Sequence, residues 1–215
     1  EQVLDTLFYD FIDLAKRLQP KIVVAENVTG ILKGNARDYV RKVINAFDKA
    51  GYLVQEFELD SSQMNVPQKR ERVFFIAIRK DLVELLPGPV GLLFSEFPKL
   101  DLKFGRSPIP FDEIRTEGLR DNSWTDHDQY IWDRRVIGDR KFSDVLIRVQ
   151  GRNSNFNSSF IYSHKPVPTL ASSEGSKYVL FDEPRKMNST EMKLAQSFPL
   201  DYDFGSNKCS KIQYV

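Results

Sequence analysis

The chain has 215 residues, 41% hydrophobic and 28% charged, with 31 Lys and Arg against 30 Asp and Glu. That composition supports a real core and excludes a chain that is fibrous or disordered throughout. No apolar run approaches the ~20 residues that span a bilayer, and the single cysteine, Cys209, excludes an internal disulfide framework and fits a reducing compartment.

Residues 3–18 place Val3, Leu7, Phe8, Phe11, Leu14, Ala15 and Leu18 at helical spacing, and Pro20 ends that helix. Ile22 to Ala25 is a short, wholly apolar run closed by Glu26-Asn27, the pattern of a buried strand in a parallel sheet. Helical spacing returns over 35–50 through Tyr39, Val40, Val43, Ile44 and Phe47, with Gly51 as C-cap. Tyr52–Leu59 alternates as a strand, and Val73–Ile78 is a further apolar strand reached through a turn at Val66-Pro67-Gln68. Helix, strand, helix, strand, strand is the back half of a doubly wound, Rossmann-like α/β sheet.

The texture changes after about residue 84. Pro87, Gly88, Pro89 and Gly91 cluster as a linker, and periodicity is lost from about 95 to 165 apart from a possible strand at Val145–Val149. This predicts a second, smaller and irregular domain. A helix resumes over Asn188–Ser197, capped by Asn188 or Ser189 with Glu191 in its first turn. The chain starts inside a helix and stops after Ile212-Gln213-Tyr214-Val215, so both ends read as cuts.

Two short segments carry candidate chemistry. Glu26-Asn27 closes a strand at the sheet edge where α/β proteins bind ligands, and a carboxylate there must be paired or neutralised. A carboxylate that only caps the next loop explains the position as well. In Gln68-Lys69-Arg70-Glu71-Arg72, strand alternation puts Gln68, Arg70 and Arg72 on one side, a fork suited to a carboxylate, a phosphate or a base carbonyl. A surface ladder of ion pairs is the plainer reading of that segment taken alone. Between Arg134 and Arg152 six basic residues (Arg134, Arg135, Arg140, Lys141, Arg148, Arg152) stand against Asp139 and Asp144. That surplus fits a nucleic-acid face or an ordinary solvated one.

Taken together, Pro20-Lys21-Ile22-Val23-Val24-Ala25-Glu26-Asn27-Val28 and Asn65-Val66-Pro67-Gln68-Lys69-Arg70-Glu71-Arg72-Val73 resemble the Glu-Asn-Val and Gln-x-Arg-x-Arg motifs of the DNA cytosine-5 methyltransferases. Thr6-Leu7-Phe8 resembles the family motif beside the cofactor, and Lys165-Pro166-Val167-Pro168-Thr169 the motif after the recognition region. Pro184-Arg185-Lys186-Met187, Glu191 and Phe198-Pro199-Leu200-Asp201-Tyr202 continue the family order. The family's cofactor glycine loop and its Pro-Cys nucleophile loop are not in these residues, and Cys209, in a polar Asn-Lys-Cys-Ser context, does not replace the latter.

The resemblance implies a division into a catalytic part at 1–86, a linker at 87–94, a target-recognition domain at 95–183 and a returning helix and tail at 184–215. It implies S-adenosylmethionine as cofactor, double-stranded DNA as substrate, and a partner: the missing N-terminal catalytic half or a separate subunit. It implies no metal and no membrane, and, in a prokaryote, a cytoplasmic enzyme at the nucleoid, from a restriction-modification system or acting alone. In the family's chemistry a thiolate adds to C6 of a flipped cytosine, C5 takes the methyl group, a proton leaves C5 and the thiol is eliminated. Glu26 would then face N3 and the exocyclic amine and Arg72 would face O2, with Arg70 in support and Asn27 holding the loop. Leu7 would lie against the cofactor. Arg134, Arg135, Arg148, Arg152, Asn153 and Asn155 are candidates for DNA contact. Thr169 would brace the recognition region, and Arg185 and Glu191 would secure the last helix. The chain alone is expected to be inactive. The alternatives are a subunit of a split enzyme, a non-catalytic DNA-binding module, and an enzyme acting on RNA.

Overall fold

The computed structural model describes residues 4–34, 36–83, 100–118, 124–152, 158–171 and 177–205. The chain divides into two units, one of residues 1–60 and 71–103, the other of 61–70 and 104–215.

In the first unit helix α1 (Leu4–Leu18) leads into strand β1 (Ile22–Val28), helix α2 (Ala36–Lys49) and strand β2 (Tyr52–Asp60). After the 61–70 excursion, strand β4 (Glu71–Arg79) and the short helix α3 (Lys80–Val83) complete it. The sheet order is β1-β4-β2, and β4 is antiparallel to both neighbours. The buried parallel strand expected at Ile22–Ala25 is therefore an antiparallel one, at the edge of the described sheet. Its side chains alternate between buried and open, and only Val23 is fully buried.

Ile12 and Ala15 of α1 pack with Val23, Val43, Phe47, Tyr52 and Ala77, and Phe8 meets Phe47, Phe75 and Tyr39 edge-on. Edge-to-face rings add to what area burial alone supplies. The Tyr52 hydroxyl donates to Pro20 O at 2.9 Å, fixing the turn between α1 and β1. Gly51, at φ 92°, ends α2 in the left-handed conformation that glycine adopts without strain. α1 carries a second apolar stripe: Leu7, Phe11, Leu14 and Leu18 are exposed, as are Ile22, Val24 and Val28 of β1.

The second unit holds β3 (Gln68–Lys69), α4 (Asp126–Asp133), α5 (Phe142–Gln150), β5 (Ser159–Ile161), β6 (Val167–Pro168), β7 (Tyr178–Leu180) and α6 (Ser189–Ala195). β5 pairs with β7, and β3 with β6, both in parallel. The two-residue side-chain period sorts β5 and β7 between two cores. Phe160 and Val179 join Ile131, Phe142, Val145 and Leu146; Ile161, Tyr178 and Leu180 join Phe111, Val167, Leu170, Met187 and Met192.

The possible strand at Val145–Val149 is helix α5. Phe142, Val145 and Leu146 fall on one helical face and are buried, while Ile147 and Val149 are exposed. A short apolar run fits either element, and here Gly151 at φ 66° and Asp144, which accepts from Arg140 N and Lys141 N, settle it as a helix. α4 is opened by a capping box: Asp128 N donates to Thr125 Oγ1 at 3.2 Å and Thr125 N to Asp128 Oδ2 at 3.0 Å. Asp128 is buried and is paired with Lys177 at 2.8 Å. Thr125→Ala is expected to destabilise this unit by about 1 kcal/mol. Both tryptophans of the chain, Trp124 and Trp132, lie here, so the urea midpoint of tryptophan fluorescence reads it directly.

Candidate active site

Glu26 and Arg72 are brought together by the sheet. β1 and β4 pair with Glu26 opposite Phe74 and Val28 opposite Arg72, so Glu26 and Arg72 are diagonal neighbours on one face. Arg72 Nε lies 2.8 Å from Glu26 Oε1, with the side chains 18% and 42% exposed respectively. Arg72 Nη1 donates to Glu71 O at 2.8 Å, which holds the guanidinium plane. The carboxylate is thus paired, as its place at the strand end requires, yet open to a ligand.

Asn27 Oδ1 accepts from Val28 N at 2.8 Å, which stiffens the turn out of β1. Leu7, 58% exposed, lines an open groove of about 350 Å³ with Phe8, Phe11, Val24, Ala25, Glu26 and Asn27. A second groove of about 200 Å³ is lined by Leu14, Leu18, Ile22 and neighbouring residues of α1 and β1.

The Gln-x-Arg-x-Arg segment is not one strand. β3 ends at Lys69 and pairs with β6; β4 starts at Glu71 and pairs with β1 and β2. The single-strand alternation expected across Gln68, Arg70 and Arg72 is broken at Arg70. Gln68 is buried in the second unit and its Nε2 has no partner among the described residues. Ser61, which sequence reasoning missed, holds this segment: its hydroxyl donates to Gln68 O at 2.6 Å and accepts from Arg70 N at 3.1 Å. A serine directly after a strand gives no sequence signal for that role. Thr169 Oγ1 donates to Lys69 O at 2.8 Å, so the loop after β6 is bonded to β3.

The basic candidates of the second unit differ from one another. Arg135 lies 3.3 Å from the centroid of the Trp132 ring and donates to Phe181 O and Trp132 O. Burial draws its guanidinium below the usual arginine range. Arg148 is spent on Asp139 at 2.8 Å and on Arg134 O. These two are held within the fold. Arg134 is exposed, 3.8 Å from the Tyr130 ring centroid, and Arg152 is exposed with Nε on Gln150 Oε1 at 2.8 Å. Asn153, Asn155 and Cys209 lie outside the described residues, as does the linker at 87–94. Arg185 and Glu191 form a bidentate pair at 2.9 and 2.8 Å, 2% and 0% exposed. Among the described residues no cluster of His, Cys, Asp and Glu is arranged to hold a metal, and no helix is long and apolar enough to cross a membrane.

Comparison with known proteins places this geometry in context. The C-5 cytosine-specific DNA methylase family matches residues 1–215. Type II methyltransferase M.DdeI of Desulfomicrobium norvegicum is 28% identical over 93% of this chain and 58% of that protein. Type II methyltransferase M.FnuDI of Fusobacterium nucleatum is 43% identical over 55% of this chain and 29% of that protein. The chain thus covers less than two thirds of the length of either relative. Among solved structures, a DNA modification methyltransferase encoded within an E. coli prophage matches 97% of this chain and 68% of its own, with TM-score 0.65 and 17% identity. DNMT2 of Spodoptera frugiperda matches 96% of this chain and 65% of its own, with TM-score 0.58 and 15% identity. These likenesses support a Rossmann-like methyltransferase fold of which the small sheets here are a part. With a family match that runs over residues 1–215, the chain belongs to the C-5 cytosine-specific DNA methylases.

Proposed function

We propose that this chain is the cytosine-gripping and DNA-reading portion of an enzyme that moves a methyl group from S-adenosylmethionine to C5 of a cytosine flipped out of duplex DNA. The Glu26–Arg72 pair carries the reading. Cytosine C5 becomes nucleophilic only after addition at C6, which drives electron density toward N3 and O2. A carboxyl group at N3 and a guanidinium at O2 stabilise that density. Arg72 would meet O2 with its guanidinium while its Nε stays beside the carboxyl of Glu26. Asn27 fixes the turn that sets the height of the carboxyl. Arg70 supports from the neighbouring segment, and Thr169 braces the recognition region against β3. Arg134, Arg152, Asn153 and Asn155 serve DNA contact; Arg135 and Arg148 are held by Trp132 and Asp139.

S-adenosylmethionine supplies an electrophilic methyl group when bound. Leu7 and Phe11, which line a groove with Glu26 and Asn27, would offer it an apolar wall. The glycine loop and the Pro-Cys nucleophile come from a polypeptide outside this sequence, either the preceding half or a separate subunit. The α1–β1 face fits such a partner. β1 has no strand on its outer edge among the described residues, and Leu14, Leu18, Ile22, Val24 and Val28 are exposed along it. An open edge flanked by apolar side chains is a surface that proteins cover.

Mixing the chain with a polypeptide bearing those two loops is expected to transfer label from methyl-labelled S-adenosylmethionine to C5 of cytosine in duplex DNA, while the chain alone transfers none. Transfer to adenine, or preference for RNA, would overturn the substrate assignment. Self-association of the chain through β1, undisturbed by the added polypeptide, would overturn the assignment of that face.

A further inference from the structure

The short stretch that carries Arg70 is held along both of its edges. From Pro67 to Arg70 every backbone carbonyl has a partner. Val167 N donates to Pro67 O at 3.0 Å and Thr169 Oγ1 to Lys69 O at 2.8 Å, so these two carbonyls face β6 and the residue after it. Ser61 takes the other two: its hydroxyl donates to Gln68 O at 2.6 Å and its N–H to Arg70 O at 3.1 Å. The carbonyls thus alternate between two edges, as they do in a strand with a neighbour on either side. On the second edge the neighbour is one serine.

A hydrogen-bonded antiparallel pair exchanges two bonds, each residue giving its N–H to the carbonyl of the other. Ser61 and Arg70 make only one of them in that form. β2 ends at Asp60, and the chain turns into a 3₁₀ helix at Ser61–Gln63, which gives Ser61 O to Met64 N at 2.9 Å. The carbonyl that would accept from Arg70 N is therefore turned away. The Ser61 hydroxyl stands in for it and accepts from Arg70 N at 3.1 Å. A single residue holds both backbone groups of Arg70 at the point where backbone pairing with β2 stops. Alanine offers no such acceptor, and it would leave the Gln68 carbonyl and the Arg70 amide without that partner in a half-buried site.

We infer that Ser61 is a positioning residue for Arg70: by holding its backbone, Ser61 fixes the origin of the Arg70 side chain and acts on methyl transfer without touching the substrate. The inference rests on the methyltransferase reading above, in which Arg70 supports the grip on cytosine. A guanidinium at the end of a long side chain serves a developing charge only while its origin stays in place. A misplacement of about 1 Å at such a group can cost about 10² in rate. The loss falls on kcat, because the charge that Arg70 supports appears only after addition at C6.

The test combines the whole chain with the polypeptide carrying the missing loops, duplex DNA and labelled S-adenosylmethionine. Rates are taken at a temperature at which circular dichroism shows every variant folded. Ser61→Ala is expected to lower kcat by about 10–10², with KM for DNA nearly unchanged. Ser61→Thr, which keeps the hydroxyl, is expected to restore most of the rate. On an Arg70→Ala background Ser61→Ala is expected to cost nothing further, since a residue that acts through another is not additive with it. Amide exchange gives a readout independent of activity: the Arg70 N–H should exchange faster in Ser61→Ala and not in Ser61→Thr. An unchanged kcat in Ser61→Ala, or a full additional loss on the Arg70→Ala background, overturns the positioning role and leaves the methyltransferase reading standing. If Ser61→Ala does not fold, Ser61→Cys takes its place with a thiol that bonds only weakly, and an undiminished kcat there overturns the role equally. No transfer by the unsubstituted chain with its partner overturns the methyltransferase reading, and this inference with it.

Discussion

Glu26→Gln is expected to lower methyl transfer by the completed enzyme by about 10²–10³, the loss typical of removing one preorganised group from a developing charge. The amide keeps the volume of the carboxyl but carries no charge to hold Arg72 Nε at 2.8 Å and no acid to meet N3. Both halves of the grip therefore weaken together. The loss should fall on kcat, with KM for DNA nearly unchanged, because the density at N3 and O2 appears only after addition at C6. Arg72→Lys is a companion test: it keeps a positive charge but not the fork that reaches Glu26 and a pyrimidine oxygen at once. Folding should survive both changes, since a pair this accessible contributes little to stability. Single-turnover rates with labelled cofactor, beside circular-dichroism melts, separate the two effects. An unchanged rate in Glu26→Gln would remove the carboxyl from the chemistry and with it the reading of this site.

What the sequence revealed of this site, and what it concealed, divides along the range of the interactions. Glu26 and Arg72 are legible because each sits at a strand end, and strand ends follow from apolar runs and their polar boundaries. The direction of β1 is not legible: an apolar run says that a strand is covered, not which neighbour pairs with it, and β4 pairs with it in the antiparallel sense. Helix α1 shows the same limit. Its periodicity sets Val3, Leu7, Phe8, Phe11, Leu14, Ala15 and Leu18 at helical spacing, yet of these only Phe8 and Ala15 pack in this unit, joined by Ile12, while Leu7, Phe11, Leu14 and Leu18 are exposed. The helix carries two apolar stripes, and the described residues cover one. α4 and α5 were hidden by shortness, although Thr125 and Asp128 stand at capping-box spacing and Gly151 marks a helix end. The basic surplus between Arg134 and Arg152 could not be resolved into roles by counting. Trp132 and Asp139, which take Arg135 and Arg148 into the fold, are recognised only once the helices are in place.

The largest stability effect should come from the Arg185–Glu191 pair. Glu191 Oε1 accepts from Arg185 Nη2 at 2.8 Å and Thr116 N at 3.1 Å; Oε2 accepts from Arg185 Nη1 and Asn188 N, both at 2.9 Å. Asn188 Oδ1 in turn accepts from Glu191 N, so one carboxylate pairs a buried cation and completes the cap of α6. Arg185 Nη2 also donates to Thr116 O at 3.1 Å, and Gly118 leaves the guanidinium its room: a Cβ there would stand 3.0 Å from Nη1. Removing one member strands the other charge away from water, so Glu191→Ala is expected to cost about 3–5 kcal/mol. Arg185→Met together with Glu191→Leu removes both charges and should recover much of that loss, because apolar replacement of a whole buried pair is often near neutral. Trp124 and Trp132 report the urea transition of this unit alone. Recovery in the double variant would show that the single-variant loss is the cost of an unpaired buried charge. A double variant as unstable as Glu191→Ala would place the loss in the bonds to Thr116 and Asn188, making Glu191 a cap first and an ion-pair partner second.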